Sequence, residues 1–485
     1  MSDLRKKIVQ GVFWQGLERF GNHGITFIIS IILARLLTPK QFALVALSAV
    51  LITIAGTLIE SGLSKALVQK KDIDEIDCNS IFFFNIVMGL LMYGLIYPLA
   101  PFVAHFYNQP KLTSLTRIIA LSLIVTSFAS IQRSLLAKRM DFHLSFRISW
   151  LAQIPAGIIG IFLAYKGLGV WSLVAQQLTR NTLNTALLWY FVKWRPQRVF
   201  NLSRLKKLFS FSWKLLCSQL LNTIYNDLYT LVVGKLFSLE ILSFSRRGRH
   251  LPGISMSLIN TTIGTVLFPA FSTIQDDKLK MRELAKRGLK NIMFLVIPTI
   301  SILFVTARPL VTILYTAKWL PSVVFLQITC FSIVITPFHT MNLQIMTACG
   351  RSDYFLYLEI FKKVEMLLLI FICYRFGIII MTCYLAANSY LLLFVNGWPN
   401  HKLIGYPPWR QFADILPFFF IAAIGVGITQ VTRLFPQNDW LLLVTNAIIF
   451  SIVYFGLAVV AHLIPQDVFM LASTIKSKLI SGHKN

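Results

Sequence analysis

Apolar stretches of about twenty residues, separated by short polar connections, run along almost the whole chain. A helix needs roughly 20 apolar residues to cross a bilayer core of about 30 Å. Windows of that length predict about fourteen transmembrane helices, at 11–36, 42–63, 80–104, 113–136, 145–165, 169–192, 209–234, 242–271, 289–306, 311–340, 354–375, 378–400, 412–432 and 440–463. The pattern therefore predicts an all-α integral membrane protein, with kink candidates at Pro252, Pro269, Pro298 and Pro337.

The first half of this pattern recurs in the second half. Residues 34–50 correspond to residues 234–250 at an offset of 200. Other polar landmarks recur at offsets between 199 and 212: Lys206 with Lys6, Lys207 with Lys7, Trp213 with Trp14, Pro309 with Pro101, Tyr315 with Tyr107, Asp353 with Asp141 and Gly377 with Gly169. Two sets of six spans with the same orientation are typical of parallel repeats. We expect two pseudo-symmetric six-helix bundles, 1–195 and 196–402, around a central cavity, and two further helices with a tail at 403–485.

Polar residues form stripes along several predicted helices, at the spacing of one helix face. In the first span the stripe contains Gln15, Glu18, Arg19, Asn22, His23 and Thr26, and the seventh span repeats it with Ser218, Gln219, Asn222, Thr223, Asn226 and the adjacent Asp227. The sixth span adds Gln177, Arg180, Asn181 and Asn184, and the eighth contains Arg246, Arg247 and Arg249. Charged side chains inside a bilayer face the bundle interior or a water-filled cavity. The stripes therefore predict a polar cleft with a positive bias.

Most of these residues also have a purely structural interpretation. The amide and hydroxyl stripe is equally typical of hydrogen bonding between helices, and the arginines of the eighth span can extend to the outer headgroups. Glu18 and Arg19 can neutralise neighbours across a helix interface, and Glu60 can pair with Lys65. No cofactor is expected, but a transporter can be coupled to H⁺ or Na⁺. Candidates for such coupling are Glu18, His23, Glu60 and Asp227.

Composition supports the bilayer as the solvent of this chain. Of its 485 residues 56% are hydrophobic and 13% are charged, whereas soluble domains carry about 25% charged residues. The 46 Lys and Arg against 19 Asp and Glu give a net charge of +27, which in a soluble protein suggests nucleic acid. Here about 30 of these cations fall in eight short segments on one predicted side. The positive-inside rule then places both termini in the cytoplasm and argues against a nucleic-acid partner.

Catalytic and metal-binding motifs are absent from the sequence. There is no nucleophile–base pair or phosphate-binding loop, and the six cysteines lack metal-ligand spacing. The longest polar connections, 193–207 and 275–290, are too short for a catalytic domain. The basic N-terminus lacks a cleavage site of small residues, so we interpret it as the cytoplasmic start of the first span rather than a signal peptide. The sequence therefore indicates that the protein is not an enzyme.

Several segments resemble a known family. LLTPKQFALVALSAV at 36–50, followed by ESGLSKALVQKKDI at 60–73, is similar to the second-span signature of bacterial polysaccharide transporters, the oligosaccharide flippases of the multidrug/oligosaccharidyl-lipid/polysaccharide exporter superfamily. Further similar segments follow in the expected order: RSLLAKRMDF, KGLGVWSLV, VGKLFSLEILSFSRRGRHLP, LFPAFSTIQDD and ACGRSDYF. The resemblance covers roughly residues 5–400. It departs from the family at 246–249, where relatives show Ser-Arg-Ala-Tyr-Arg. Arg246 and Arg249 match the paired arginines, and Arg247 and Gly248 do not.

The resemblance implies transport of an oligosaccharide on a polyprenyl diphosphate carrier across the cytoplasmic (inner) membrane, without nucleotide hydrolysis, for exopolysaccharide, capsule or O-antigen (lipopolysaccharide) assembly. It also implies contact with membrane lipids, a polysaccharide polymerase and a chain-length regulator. On this interpretation the diphosphate is attracted by Arg19, Arg180, Arg246, Arg247 and Arg249. The sugars bind to Asn22, Asn181, Asn184, Gln219, Asn222 and Asn226.

Three other functions stay open at the level of sequence. A small-molecule cation antiporter of the same superfamily would prefer acidic and aromatic residues in its cavity, against the positive bias here. A membrane glycan polymerase or ligase normally needs a sizeable extracytoplasmic loop. A structural scaffold of a biosynthetic complex would tolerate substitutions in the cavity, which gives a direct way to distinguish it.

Overall fold

A computed structural model of the chain describes residues 21–22, 24–60, 62–64, 67, 74–432, 438–465 and 467. Within these ranges the regular structure is helical and contains no strand, which confirms the all-α prediction. We number the helices α1 (Gly24–Leu36), α2 (Pro39–Glu60), α3 (Glu75–Phe106), α4 (Lys111–Ser127), α5 (Ser130–Arg139), α6 (Phe142–Tyr165), α7 (Val170–Phe191), α8 (Leu202–Leu236), α9 (Leu239–Thr273), α10 (Lys278–Val305), α11 (Ala307–Tyr315), α12 (Ser322–Ile333), α13 (Thr336–Ala348), α14 (Ser352–Cys373), α15 (Ile378–Ile404), α16 (Pro408–Val431) and α17 (Asp439–Val460).

Eight helical segments of the described chain are long and apolar enough to cross a membrane, or nine if the bent pair α4–α5 is one span. The eight are α2, α3, α6, α10, the stretch from α12 to α13, α15, α16 and α17. Helices α7, α8 and α9 have 22, 35 and 35 residues, about 33 Å or more at 1.5 Å per residue. They carry the predicted polar stripes. The stripes lower the mean hydropathy of these helices, so they are not among the eight. The chain is a multi-pass membrane protein, and the total of fourteen spans stays a prediction.

Two predicted spans are broken in the structure. The span expected at 113–136 consists of α4 and α5, which meet at 50°. The span expected at 311–340 contains the end of α11, a 3₁₀ turn at Ala317–Trp319, and then α12 and α13. The positions of these breaks were not predicted, because apolar composition does not show where the backbone hydrogen bonds are interrupted. Pro337 lies in the first turn of α13, so it starts a helix rather than kinking one. Pro252 and Pro269 lie inside α9 and Pro298 inside α10.

The polar connection expected at 275–290 is mostly helical, because α10 already begins at Lys278. Asp277 caps this helix: its carboxylate accepts a hydrogen bond from the backbone N–H of Lys280 at 3.0 Å. An N-cap aspartate satisfies a free N–H group of the first turn. The same hydrogen bond holds the pKa of the Asp277 carboxyl below its usual range.

The halves of the chain share backbone landmarks at the offsets that the sequence repeat predicts. Helix α1 ends at Leu36 and α2 starts at Pro39, whereas α8 ends at Leu236 and α9 starts at Leu239. Positive φ angles occur at corresponding residues: Asn108 (52°) with Thr316 (75°), each directly after the repeated tyrosine, and Gly169 (57°) with Gly377 (92°). These pairs support the repeat independently of apolar composition.

Internal contacts divide the chain into two units, 1–243 and 244–485. In the first unit α6 packs along α7, α3 along α4, and α8 on α2. In the second unit α16 packs on α17 and on α10, and α15 packs on α12 and α14. Helix α8 therefore lies in the first unit, although the sequence repeat assigns it to the second bundle. The domain boundaries expected from the repeat, at 195 and 402, stay predictions.

Candidate anion-binding cavity

A polar cavity of about 340 Å³ lies in the first unit. Four helical elements contribute to it: the start of the described chain, α5, α6 and α7. Among the described residues, its lining consists of Asn22, Thr26, Arg133, Ser145, Ile148, Ser149, Gln153, Arg180, Asn181, Asn184 and Leu188. Nine of these eleven side chains are polar, and the two charged ones are arginines. The cavity therefore offers hydrogen-bond partners together with positive charge.

Helix α7 brings the predicted stripe of the sixth span into this cavity. Gly169, with a φ of 57°, precedes the helix, and a side chain is strained at that angle. Arg180 follows Val170 by ten residues, about 15 Å at 1.5 Å per residue, so it lies near the middle of the helix. Asn181 and Asn184 lie on the same face, and the Arg180 side chain is exposed to the cavity. The structure thus brings together four predicted site residues, namely Asn22, Arg180, Asn181 and Asn184.

Helix α6 supplies three polar side chains that the sequence analysis missed. Ser145, Ser149 and Gln153 are spaced by four residues, so they share one face of the helix. Gln153 Nε2 donates to Thr26 Oγ1 at 3.4 Å, which connects α6 to α1. Three polar residues at helical spacing were the signal that could have identified this face.

Arg133 is the most important residue that the sequence analysis assigned elsewhere. We counted it with the cations of the cytoplasmic side, near the end of the span expected at 113–136, and not among the site residues. The 50° bend between α4 and α5 leaves it in a separate helix that lines the cavity. Its guanidinium group is close enough to Arg180 for the two positive charges to repel one another. Since like charges in one cavity are unfavourable without a counter-ion, the pair favours an anionic ligand.

Glu60 is a carboxylate that acts on Arg133. It ends α2, and its negative charge attracts Arg133. The partner predicted for it, Lys65, lies outside the described residues. Within the described chain, two arginines and one nearby glutamate give the region a net positive charge. Among the residues that the structure describes, no group of three His, Cys, Asp or Glu side chains could hold a metal ion.

The predicted residues of α8 lie in the same unit, and none is among those that line this cavity. Asn222 and Asn226 are exposed, and Gln219 and Asp227 are half-buried. The hydroxyl of Thr223 lies 3.3 Å from that of Thr57, so part of this stripe forms hydrogen bonds between helices. The other predicted residues of the first span, Glu18, Arg19 and His23, lie outside the described residues.

The three arginines of α9 belong to the second unit and have different environments. Arg246 is exposed, Arg249 is half-buried and Arg247 is buried. The guanidinium carbon of Arg247 lies 4.7 Å from the ring centroid of Tyr315 and 4.9 Å from that of Trp319. Both rings are themselves buried, so Arg247 forms cation–π contacts inside a packed region.

Gly248 explains how α9 reaches this packed region. A Cβ atom at this glycine would lie 2.7 Å from the backbone nitrogen of Leu326 and 2.8 Å from the carbonyl oxygen of Ser322. Real Cβ contacts are longer, so only glycine allows α9 and α12 to approach so closely here. The departure of Gly248 from the family pattern therefore has a packing cause in this structure.

The chain is similar to known proteins in sequence and in fold. The sequence model of a family described as "Polysaccharide biosynthesis protein" matches residues 32–324. The succinoglycan biosynthesis transport protein ExoT of Rhizobium meliloti (strain 1021) is 25% identical over 314 residues, which are 65% of this chain and 64% of that protein. The teichuronic acid biosynthesis protein TuaB of Bacillus subtilis (strain 168) is 23% identical over 488 residues, 99% of each chain.

Among solved structures, the lipid II flippase MurJ in an inward closed conformation has a similar fold. The TM-score is 0.71 and the identity is 14%, with 92% of this chain and 99% of that chain covered. At this identity the similarity concerns the fold alone. The roles of individual cavity residues therefore have to be argued from this chain's own structure.

Proposed function

The chain belongs to the family of polysaccharide biosynthesis proteins, and from this premise we propose that it moves an oligosaccharide linked to polyprenyl diphosphate across the cytoplasmic membrane. The product enters exopolysaccharide, capsule or O-antigen assembly. The names of ExoT, a transport protein of succinoglycan biosynthesis, and of the MurJ lipid II flippase support this proposed transport function. The observation that carries the proposal is the cavity that combines Arg133 and Arg180 with amide and hydroxyl side chains.

The chemistry of the cavity matches the polar head of such a lipid. Guanidinium groups bind phosphate through two parallel hydrogen bonds and keep their charge at all physiological pH values. A diphosphate placed near Arg133 and Arg180 would neutralise two cations that otherwise repel each other. The amides of Asn181 and Asn184 both donate and accept hydrogen bonds, as sugar hydroxyls do. The cavity therefore has partners for the diphosphate and for the first sugars.

The size of the cavity fits a stepwise passage of the head group. Its volume of about 340 Å³ lies at the lower end of the range of small-ligand sites, so it holds one part of a head group at a time. The polyprenyl chain needs no polar path because it is already in its preferred solvent, the bilayer. We propose that the cavity is exposed to one side of the membrane and then to the other, with no covalent chemistry and with both termini in the cytoplasm.

The remaining predicted residues extend this path in our proposal. Arg246 and Arg249, the amides of α8 and Arg19 provide further contacts for the head group. Glu60 is the preferred site for ion coupling because its charge acts on Arg133, and Asp227, Glu18 and His23 are alternatives. A polysaccharide polymerase and a chain-length regulator are the proposed protein partners. The positive charge of the cavity argues against a cation antiporter.

The test is the export of lipid-linked glycan in cells that lack the chromosomal gene and carry a plasmid copy. We expect Arg180→Glu to abolish export and to leave the lipid-linked oligosaccharide in the inner leaflet, because a carboxylate there repels the diphosphate. Arg139→Glu is the matched control, since Arg139 is exposed at the end of α5 and does not line the cavity. Wild-type export by a folded Arg180→Glu protein would falsify the assignment of this cavity.

A further inference from the structure

A second cavity in the first unit has a different lining. It measures about 580 Å³, and the described residues that line it are Phe83, Phe84 and Val87 of α3 and Arg198 and Phe200 of the linker between α7 and α8. Four of these five side chains are apolar, and the fifth carries a guanidinium group. An apolar pocket with one cation is suited to a ligand that has a hydrocarbon part and an anionic part.

The linker that contains Arg198 forms hydrogen bonds with α3 on both sides of this arginine. The backbone N–H of Gln197 donates to Asn79 Oδ1 at 2.7 Å, and the backbone N–H of Asn201 donates to Ser80 Oγ at 3.0 Å. Both acceptor residues are buried in α3. The cavity is therefore built by the fold, because two buried hydrogen bonds hold its polar wall against its apolar wall.

Arg198 and its neighbour Arg195 differ in the hydrogen-bond partners of their guanidinium groups. Arg195 Nη1 donates to the carbonyl oxygens of Val192 and Trp194, at 2.6 and 2.9 Å. Arg198 is exposed, and within the described residues no carboxylate or carbonyl group pairs with it. Of these two arginines, Arg198 is the one whose guanidinium group is available to a ligand.

The apolar wall of the cavity continues along the outside of α3. Val87, Leu91, Leu95 and Phe102 follow at helical spacing and are 47 to 72% exposed. The rise from Val87 to Phe102 is about 22 Å at 1.5 Å per residue. In a membrane-spanning helix such a stripe faces lipid chains, so a hydrocarbon chain that starts in the cavity has a continuous apolar surface to follow.

We propose that this cavity binds one anionic phospholipid of the membrane, with its phosphate at Arg198 and one acyl chain in the cavity and along the exposed stripe of α3. Basic pockets near the ends of membrane helices bind anionic head groups. Charge complementarity selects an anionic lipid over a zwitterionic one. The bound lipid would reinforce the contact between α3 and the linker, whatever substrate the protein transports.

The experiment uses the full-length purified protein in detergent. It is titrated with dioleoyl-phosphatidylglycerol and, separately, with dioleoyl-phosphatidylcholine, and bound lipids are counted by native mass spectrometry. We expect one phosphatidylglycerol to bind more tightly than any phosphatidylcholine. Arg198→Gln should weaken this binding about fivefold, as expected for the loss of one direct hydrogen bond to the phosphate inside the cavity. Lys193→Gln, which removes the same charge from an exposed position of the same linker, should leave it unchanged.

A second variant tests the apolar part of the site. Val87→Trp fills the cavity from a lipid-facing position, so we expect it to lose the tightly bound phosphatidylglycerol without a change in melting temperature in lipid-free detergent. Equal binding of the two phospholipids, or equal weakening by Arg198→Gln and Lys193→Gln, would overturn the proposal. Displacement of the phosphatidylglycerol by polyprenyl phosphate would also overturn it, because the cavity would then belong to the transport path.

Discussion

Arg180 in the first unit and Arg247 in the second unit both lie inside long helices, but their surroundings differ completely. Arg180 is exposed in a polar cavity beside a second arginine. Arg247 is only 9% exposed and lies against two aromatic rings. An arginine between rings stabilises the packing of its helix, whereas an arginine in an open cavity can bind a ligand. A cation in a membrane helix therefore identifies a binding site only when its guanidinium group is accessible.

The largest expected effect concerns the packing that surrounds Arg247. Gly248→Ala forces a methyl group against the backbone of α12, and we expect overpacking to destabilise the protein by about 3 kcal/mol. Gly253→Ala is the matched control, because a Cβ atom there meets no other atom within 4 Å. Thermal unfolding in detergent measures both variants. Equal melting temperatures for the two would show that α9 and α12 tolerate a wider separation.

The next effect concerns ligand binding in the first unit. Arg180→Gln removes a charged hydrogen-bond donor worth about 2 kcal/mol, which corresponds to a loss of roughly 30-fold in transport rate at low substrate. The melting temperature should stay unchanged, because the side chain is exposed in the cavity. Arg180→Lys should retain part of the activity, since lysine keeps the charge but not the paired donors. A large fall in melting temperature for Arg180→Gln would assign Arg180 a structural role instead.

Arg247→Met should lower the stability and leave transport unchanged, which is the opposite of the result expected for Arg180→Gln. Loss of the buried cation–π contacts with Tyr315 and Trp319 is expected to reduce stability by about 2 kcal/mol, while transport per folded molecule is retained. Arg246→Met is the control, because Arg246 is exposed on the same helix and should affect stability less. If Arg247→Met instead lowered transport at an unchanged melting temperature, the contrast between the two units would be wrong.

The smallest effect concerns a pair of corresponding aspartates. Asp141 caps α6 by accepting the backbone N–H of Leu144 at 3.0 Å, whereas Asp353 lies at the start of α14 and accepts hydrogen bonds from Arg351. The hydrogen bonds from Arg351 lower the pKa of Asp353 from 3.8 to about 2. Because the folded-state pKa is lowered, this contact stabilises the fold above about pH 4, and the effect is lost as the pH falls towards 2.

Asp353→Asn therefore should lower the melting temperature slightly at pH 7, and the difference from the wild type should vanish near pH 2. The effect is small because the ion pair is exposed and screened by solvent. Asp276→Asn, at another exposed position, controls for the loss of a negative charge. A difference that persists unchanged at pH 2 would show that another contact of Asp353 matters more than its ion pair.

Much of the cavity could be predicted from sequence. Asn22, Arg180, Asn181 and Asn184 were recognised because their spacing follows one helix face, and helical spacing is a local property of the chain. Arg133 was not recognised as a site residue because nothing in an apolar stretch shows the 50° bend that separates α4 from α5. The polar face of α6 was missed because its three residues are neutral and widely spaced.

The helical membrane fold, the repeat and the spacing of the polar residues can be read from the sequence, since hydropathy, helix period and turn residues act within one or two helical turns. The sequence also identified which helices carry cations. The surroundings of each cation depend on the tertiary structure. Tyr315 and Trp319 are about seventy residues from Arg247 along the chain, and the cavity of Arg180 is formed by four separate elements. The accessibility of a side chain depends on such non-local packing, which no local pattern specifies.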